Sequence, residues 1–466
     1  MGLGGPRGDP EDEKKQDQKK ASDAASSGSK GGKSQGRGGV ALGLGAPPDP
    51  GTFRPRQIVA VGLPPHVLRQ LVQRNFRVLS GSDSAVAVLR LPETETASAW
   101  DMQRALEKDF GPNFGLNYVY KPYQKATEER HALQLGRAGP KPPGGACPAD
   151  RCYGRELIRW NDTLARCAEG IRVGMIDTLV DKSHRAFAGR DLTTVTLEPG
   201  HDAAPPDGHG TGVLSVMAGA PDSSTPGLIP NAQFTAVGAF FTNAEGRPET
   251  DTRHLLDALN VLSAQKVHVI NMSLVGPEDD LVHERIKEMA ATDAVVFVAA
   301  AGNGGPGAGA GYPAAYEEVI AVTAVDRRQS VYDFANRGSY IDVAAPGVKI
   351  WTAQPGQREG MLSGTSLAAP FVSAIVAVSY DDAGLRKPRR GALDPKSMIL
   401  SHLYGDQTKR DSTYGLGVVK APTSCGKQLW ASVVSRTPSP RPPEAAAQEG
   451  WGPTVTRVSV PAEGRR

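Results

Sequence analysis

No stretch of this 466-residue chain is long or apolar enough to read as a membrane helix, and no membrane span is expected. No basic stripe with interleaved aromatics runs along it, and the formal net charge is only +3, so nothing points to nucleic acid. Large apolar residues are almost missing before Val40. A stretch so rich in Gly, Ser, Lys, Asp and Glu cannot bury a core, and residues 1–53 are expected to form a disordered tail. The run Ala41–Ala46 is too weak for the core of a signal peptide, so no export signal is visible.

Cysteine is scarce, at four residues. Cys147 and Cys152 lie five positions apart and can close a small loop, while Cys167 and Cys425 are either a second bridge or two buried thiols. Four cysteines allow three pairings, and the sequence alone does not choose among them. No second close Cys or His pair accompanies the first, so neither a metal nor a cofactor is expected. Paired cysteines favour an oxidising location, secreted or periplasmic.

The chain does contain several segments shaped for chemistry. In Gly364-Thr365-Ser366-Leu367-Ala368-Ala369-Pro370, small residues let a helix begin in close contact with its surroundings, and Pro370 is expected within the first turn. The apolar residues that follow, from Phe371 to Val378, read as a buried helix. Ser366 would then sit at a helix N-terminus, in a field that favours negative charge. An isolated Gly-Thr-Ser is more often a plain cap. Here it has company.

Ile171–Asp177 reads as a short apolar strand ending in a carboxylate, the end at which α/β sheets carry their functional groups. In Gly208-His209-Gly210-Thr211-Gly212, a histidine enters a helix of small and apolar residues. Val295–Ala301 is a continuous apolar run, the mark of a strand buried on both faces, and it ends in Gly302-Asn303-Gly304. Each feature alone has a structural explanation: a turn aspartate, a lone histidine, a turn asparagine. Together they set an acid, a base, an amide donor and a hydroxyl along one chain.

In this order, and with the blocks Ile270–Leu274, Val319–Asp326 and Val343–Gly347, the chain resembles the subtilisin-like (subtilase) serine peptidases from about Tyr153 to Lys420. The resemblance implies a mainly parallel α/β sheet with helices on both faces. It implies Asp177, His209 and Ser366 as the catalytic residues and the Asn303 amide as oxyanion donor. Ser273, Leu274, Val275 and Gly276 would pair with an extended substrate, and Gly302 and Gly311 would border the pocket for the side chain before the cut. A glycine at 311 leaves room for a large apolar residue, so cleavage is expected after Leu, Met, Phe or Tyr. The absence of an acidic cluster near this pocket argues against a basic preference.

Four positions depart from the family pattern. Leu179 and Val275 stand where glycine is usual, and Gly212 and Phe371 where histidine is usual. They bear on specificity and rate rather than on reaction class. Pro221–Gly227 occupies the place of a calcium loop but lacks its usual asparagine ligands, so that site is not carried over.

Residues 54–123 carry their own pattern of strand, helix, two strands, helix and strand, the ferredoxin-like plan. Within the first helix, Val67, Leu68, Leu71 and Val72 are expected on one face. This small α+β domain resembles the propeptides of the same family, which implies an intramolecular chaperone and inhibitor of its own peptidase; the alternative is an independent binding module that remains attached. Self-cleavage is expected between Tyr120 and Lys125, where the compact pattern ends. Residues 124–152 read as a linker, 153–431 as the peptidase domain, and 432–466 as a second disordered tail. Asn161 and Asn271 head glycosylation sequons that are taken as chance matches. The expected function is a self-processing serine endopeptidase acting on proteins or peptides. The alternatives are a catalytically silent binding scaffold, or a chain serving only to inhibit or chaperone other proteases.

Overall fold

The computed structural model describes residues 48–80, 85–122, 152–197, 208–386 and 394–426. Residues 1–47, 123–151 and 427–466, which hold most of the expected tails and linker, with Cys147 and the end of the cleavage window, lie outside these residues. The N-terminal tail is expected to reach residue 53, but Pro50–Thr52 form a 3-10 turn and Phe53 opens the first strand.

The first part of the chain forms strand β1 (Phe53–Val61), helix α1 (Pro65–Gln73), β2 (Arg77–Ser80), β3 (Val86–Arg90), helix α2 (Ala99–Phe110) and β4 (Phe114–Pro122). The strands lie in the order β2-β3-β1-β4, with antiparallel pairing throughout. Two βαβ halves interleave in this way in the ferredoxin-like plan. Its core gathers Ile58, Val67, Leu71, Phe76, Leu89, Leu106 and Phe114. Val72 does not join it and is 50% exposed. At 100° per residue it is turned well away from the stripe that Val67 and Leu71 share.

The larger part is built on seven strands: β5 (Arg172–Asp177), β6 (Leu192–Thr196), β7 (Gln233–Gly238), β10 (Val269–Met272), β12 (Val296–Ala300), β13 (Val319–Val325) and β14 (Val343–Pro346). Short strands β8 (Phe241–Thr242), β9 (Pro248–Asp251) and β11 (Leu274–Val275) lie outside this sheet. The seven run in the order β14-β13-β12-β10-β5-β7-β6, every neighbour parallel. Parallel sheets need cover on both faces, and the period of two in a strand supplies two apolar sets. Val269, Val296, Val298, Ile320 and Val322 face one core with helices α3 (Gly208–Ala218) and α6 (Thr365–Ser379). Ile270, Phe297, Ala299, Val319 and Ala321 face the other, with α4 (Thr252–Ala264) and α5 (Asp280–Asp293). The expected α/β architecture is present.

Cys167 and Cys425 form a disulfide across a separation of 258 residues. Cys152 is disulfide-bonded as well. Asn271 is fully buried, with its amide bonded to Ser273 and Ser373, which accounts for its sequon as a packing feature.

Candidate active site

Asp177 is the last residue of β5 and His209 the second of α3. They meet at 2.7 Å between Asp177 Oδ1 and His209 Nδ1, with both side chains buried. The same carboxylate oxygen accepts the Thr178 backbone N–H at 2.7 Å, which fixes its aim. Thr178 Oγ1 accepts the Gly210 N–H at 2.8 Å and Thr211 Oγ1 accepts the Asp181 N–H at 2.9 Å, fastening the helix start to the end of the strand. A Cβ on Gly210 would stand 2.3 Å from the Thr178 carbonyl oxygen, so only glycine allows this approach.

Ser366 is the second residue of α6, as expected from its flanking residues. Thr365 next to it donates from its backbone N–H and from Oγ1 to Asn303 Oδ1, at 2.9 and 3.0 Å. Those bonds consume the oxygen of the Asn303 amide and turn Nδ2 toward the serine. A Cβ built on Gly364 would lie 2.9 Å from Asn303 Nδ2 and 3.2 Å from Ser366 Oγ, so amide and hydroxyl border the same small space. His209 Nε2 and Ser366 Oγ are both buried and hydrogen-bonded neither to each other nor to any other group among the described residues. Catalytic hydrogen bonds often tighten only when substrate is bound.

Pro370 does not sit in the first turn as expected. It is the sixth residue of α6, inside the helix. A residue there would normally donate its N–H to the carbonyl four residues back, that of Ser366, and proline has none. Ser273 Oγ donates to that carbonyl instead, at 2.9 Å. Ser273 also accepts from Asn271 Nδ2 at 3.0 Å. Ser273 thus touches the backbone of Ser366, where the sequence pointed to substrate contact.

Leu274 and Val275 form β11, and this edge carries an extended segment of the chain itself. The end of β4 pairs antiparallel with it, Leu274 opposite Pro122 and Val275 opposite Lys121. The preceding residues pair with β9, Tyr120 opposite Thr250 and Val119 opposite Asp251. On its other side, Gly276 exchanges backbone hydrogen bonds with Tyr312 at 2.8 and 3.1 Å. Gly302 has φ +107° and backs onto Asn336, which accepts the Gly304 N–H through Oδ1 at 2.7 Å. Val275 reaches across to Gly311, where a Cβ would come within 2.5 Å of Val275 Cγ2. The side chain at 275 therefore narrows the space that glycine at 311 leaves.

The other departures from the family pattern are matched by neighbours. Leu179 packs on Gly238, where a Cβ would fall 2.3 Å from it. Gly212 lies under Leu362 and Phe371 under Gly154, with corresponding distances of 2.8 and 2.6 Å. Sequence reasoning missed Thr178, Thr365 and Asn336. Thr178 and Thr365 adjoin the key residues and were within reach; Asn336 arrives from a distant loop without a local signal.

Residues 168–410 match the family model described as the subtilase family, Peptidase_S8. An intracellular serine protease of Paenibacillus polymyxa is 32% identical over 309 residues, covering 63% of this chain and 85% of the relative. The major intracellular serine protease of Bacillus subtilis is 34% identical over 252 residues, covering 50% and 77%. Fervidolysin from Fervidobacterium pennivorans, whose crystal structure is described as that of a keratinolytic enzyme related to subtilisin, aligns with a TM-score of 0.61 at 20% identity. That alignment covers 80% of this chain and 61% of the other.

Proposed function

The chain belongs to the subtilase family and is a serine endopeptidase; from that premise we propose that Asp177, His209 and Ser366 carry the reaction. We propose further that residues 54–123 act as a self-cleaved inhibitory domain of the peptidase at 153–431.

Ser366 Oγ attacks the scissile carbonyl while His209 Nε2 takes its proton, and the proton then goes to the leaving amine. Asp177 holds the imidazole with Nδ1–H toward the carboxylate, leaving Nε2 as the base, and stabilises the imidazolium. The developing oxyanion is met by Asn303 Nδ2 and the Ser366 backbone N–H, and water then releases the acyl group in the mirror sequence. The observation that carries this assignment is the buried 2.7 Å contact between Asp177 and His209; separately, Ser366 and the Asn303 amide border one small space.

Self-inhibition is supported by β4, whose end fills the edge between β9 and β11 as an added strand. Its antiparallel register, Lys121 opposite Val275 and Pro122 opposite Leu274, steps toward Ser273, whose hydroxyl holds the Ser366 carbonyl. We propose cleavage after Tyr123, inside the Tyr120–Lys125 window. That bond follows a large apolar side chain, in keeping with a preference for Leu, Met, Phe or Tyr in a pocket bordered by Gly302 and Gly311 and limited by Val275. The Cys167–Cys425 bridge supports an oxidising compartment, whereas the names of two relatives point inside the cell. Thiol labelling of the native protein before and after reduction decides between them.

A serine-directed fluorophosphonate tests the assignment. Labelling of the wild type that vanishes in Ser366→Ala is the expected result. Absence of labelling together with absence of casein turnover would instead favour a silent scaffold.

A further inference from the structure

Tyr120 is fully buried although it lies near the end of the tail that occupies the cleft. Its ring packs against Gly276, where a Cβ would come within 2.2 Å of Cδ1, and it shares an apolar cluster with Leu274, Leu256 and Tyr316. The pocket does not end in hydrocarbon. Tyr120 donates its hydroxyl to Asp279 Oδ2 at 3.0 Å, and Thr252 Oγ1 donates to the same oxygen at 2.6 Å.

Asp279 is 2% exposed and tightly held. Its other oxygen caps α5 by accepting the N–H groups of Leu281 and Val282 at 3.1 and 3.3 Å. Its backbone is clasped by Tyr316, whose hydroxyl accepts from Asp279 N–H and donates to Asp279 O, both at 2.9 Å. The carboxylate cannot turn to find another donor without breaking the helix cap. When the tail leaves, Oδ2 keeps Thr252 and loses its second donor. A phenylalanine entering the pocket would fill the space over Gly276 and leave that buried oxygen under-bonded, whereas a tyrosine restores the full set. Burial raises the Tyr120 hydroxyl pKa well above its usual range, so it stays a donor at neutral pH.

We propose that Asp279 makes this pocket a recognition site for a tyrosine side chain, so that the peptidase favours peptides bearing tyrosine at the position Tyr120 holds in its own tail. The proposal rests on the proteolytic reading of the same cleft. It identifies a specificity-determining carboxylate apart from the reacting groups, on residues none of which takes part in bond making.

The test uses the processed full-length protein and three synthetic peptides. One copies residues 115–128, and the others carry Tyr120→Phe and Tyr120→Leu. The tyrosine peptide is expected to exceed the phenylalanine peptide about ten-fold to a hundred-fold in kcat/KM, mostly through KM, as for a hydrogen bond to a charged group. In Asp279→Ser, which keeps a capping oxygen but is too short to reach the hydroxyl, the tyrosine and phenylalanine rates should converge. In Gly276→Ala both aromatic peptides should be lost relative to the leucine peptide. Equal rates for tyrosine and phenylalanine on the wild-type enzyme overturn this inference alone. Failure to cleave any of the three overturns the proteolytic reading, and this one with it.

Discussion

Replacing Ser273 by alanine should cost stability for a reason that lies in Pro370. The serine hydroxyl serves the Ser366 carbonyl, which proline at 370 cannot reach, and it also accepts from Asn271. Ser366 and Asn271 are both fully buried, so no water takes over. Each abandoned group costs about 1–3 kcal/mol, which makes about 2–6 kcal/mol the expected loss for Ser273→Ala. In a domain of this size each kcal/mol lowers Tm by about 2 °C, so a fall of about 4–12 °C follows. Pro370→Ala restores an N–H at the helical spacing. In the Ser273→Ala background it should therefore recover about 1–2 kcal/mol that it does not yield with Ser273 in place. Denaturant unfolding of the four proteins, all carrying Ser366→Ala to stop self-digestion, measures that coupling. Additivity within about 0.5 kcal/mol would refute the argument.

Asn303→Ala should lower kcat about 10²–10³-fold with little change in KM, the size known for such an amide donor in a subtilisin; steady-state kinetics on a peptide substrate decides. Val275→Gly should clear the space against Gly311 and raise kcat/KM for Phe or Tyr before the cut, relative to Ala, about ten-fold. An unchanged profile on a peptide library would remove Val275 from the pocket wall. Burial raises the Asp279 pKa from 3.8 to about 6. Between those values the folded chain holds a proton that the unfolded chain has released, so stability contributed by Asp279 is present below about pH 4 and is lost as pH rises through about 6. Relative to Asp279→Asn, the parent protein should weaken over that window by up to about 3 kcal/mol, read by unfolding in the Ser366→Ala background. A constant difference across the window would contradict this.

Much of the site is legible in the chain because its key residues sit at element ends that the local sequence defines. The apolar run Val295–Ala301 could only be a buried strand, and Asn303 falls just past it. Asp177 closes β5, and Ser366 opens α6 where small residues permit it. The ferredoxin-like order of residues 54–123 follows from alternating periods alone, although Val72 shows that a pair of apolar neighbours does not fix the buried face of a short helix. Long-range partnerships were not legible. Pro370 reads as a first-turn proline until Ser273, 93 residues from Ser366, is seen to replace the missing bond. Tyr120 reads as an ordinary strand residue, and nothing in the local sequence singles out Asp279. Only pairing of β4 with β9 and β11 brings them together, and that register is set by contacts between segments more than a hundred residues apart.

The most direct measurement is intact mass and N-terminal sequencing of the wild type and Ser366→Ala, prepared side by side. The account predicts that the wild type yields a fragment beginning between residues 121 and 125, while the variant keeps its N-terminal domain attached. Matching fragments from both proteins, or a wild type that stays whole, would contradict it.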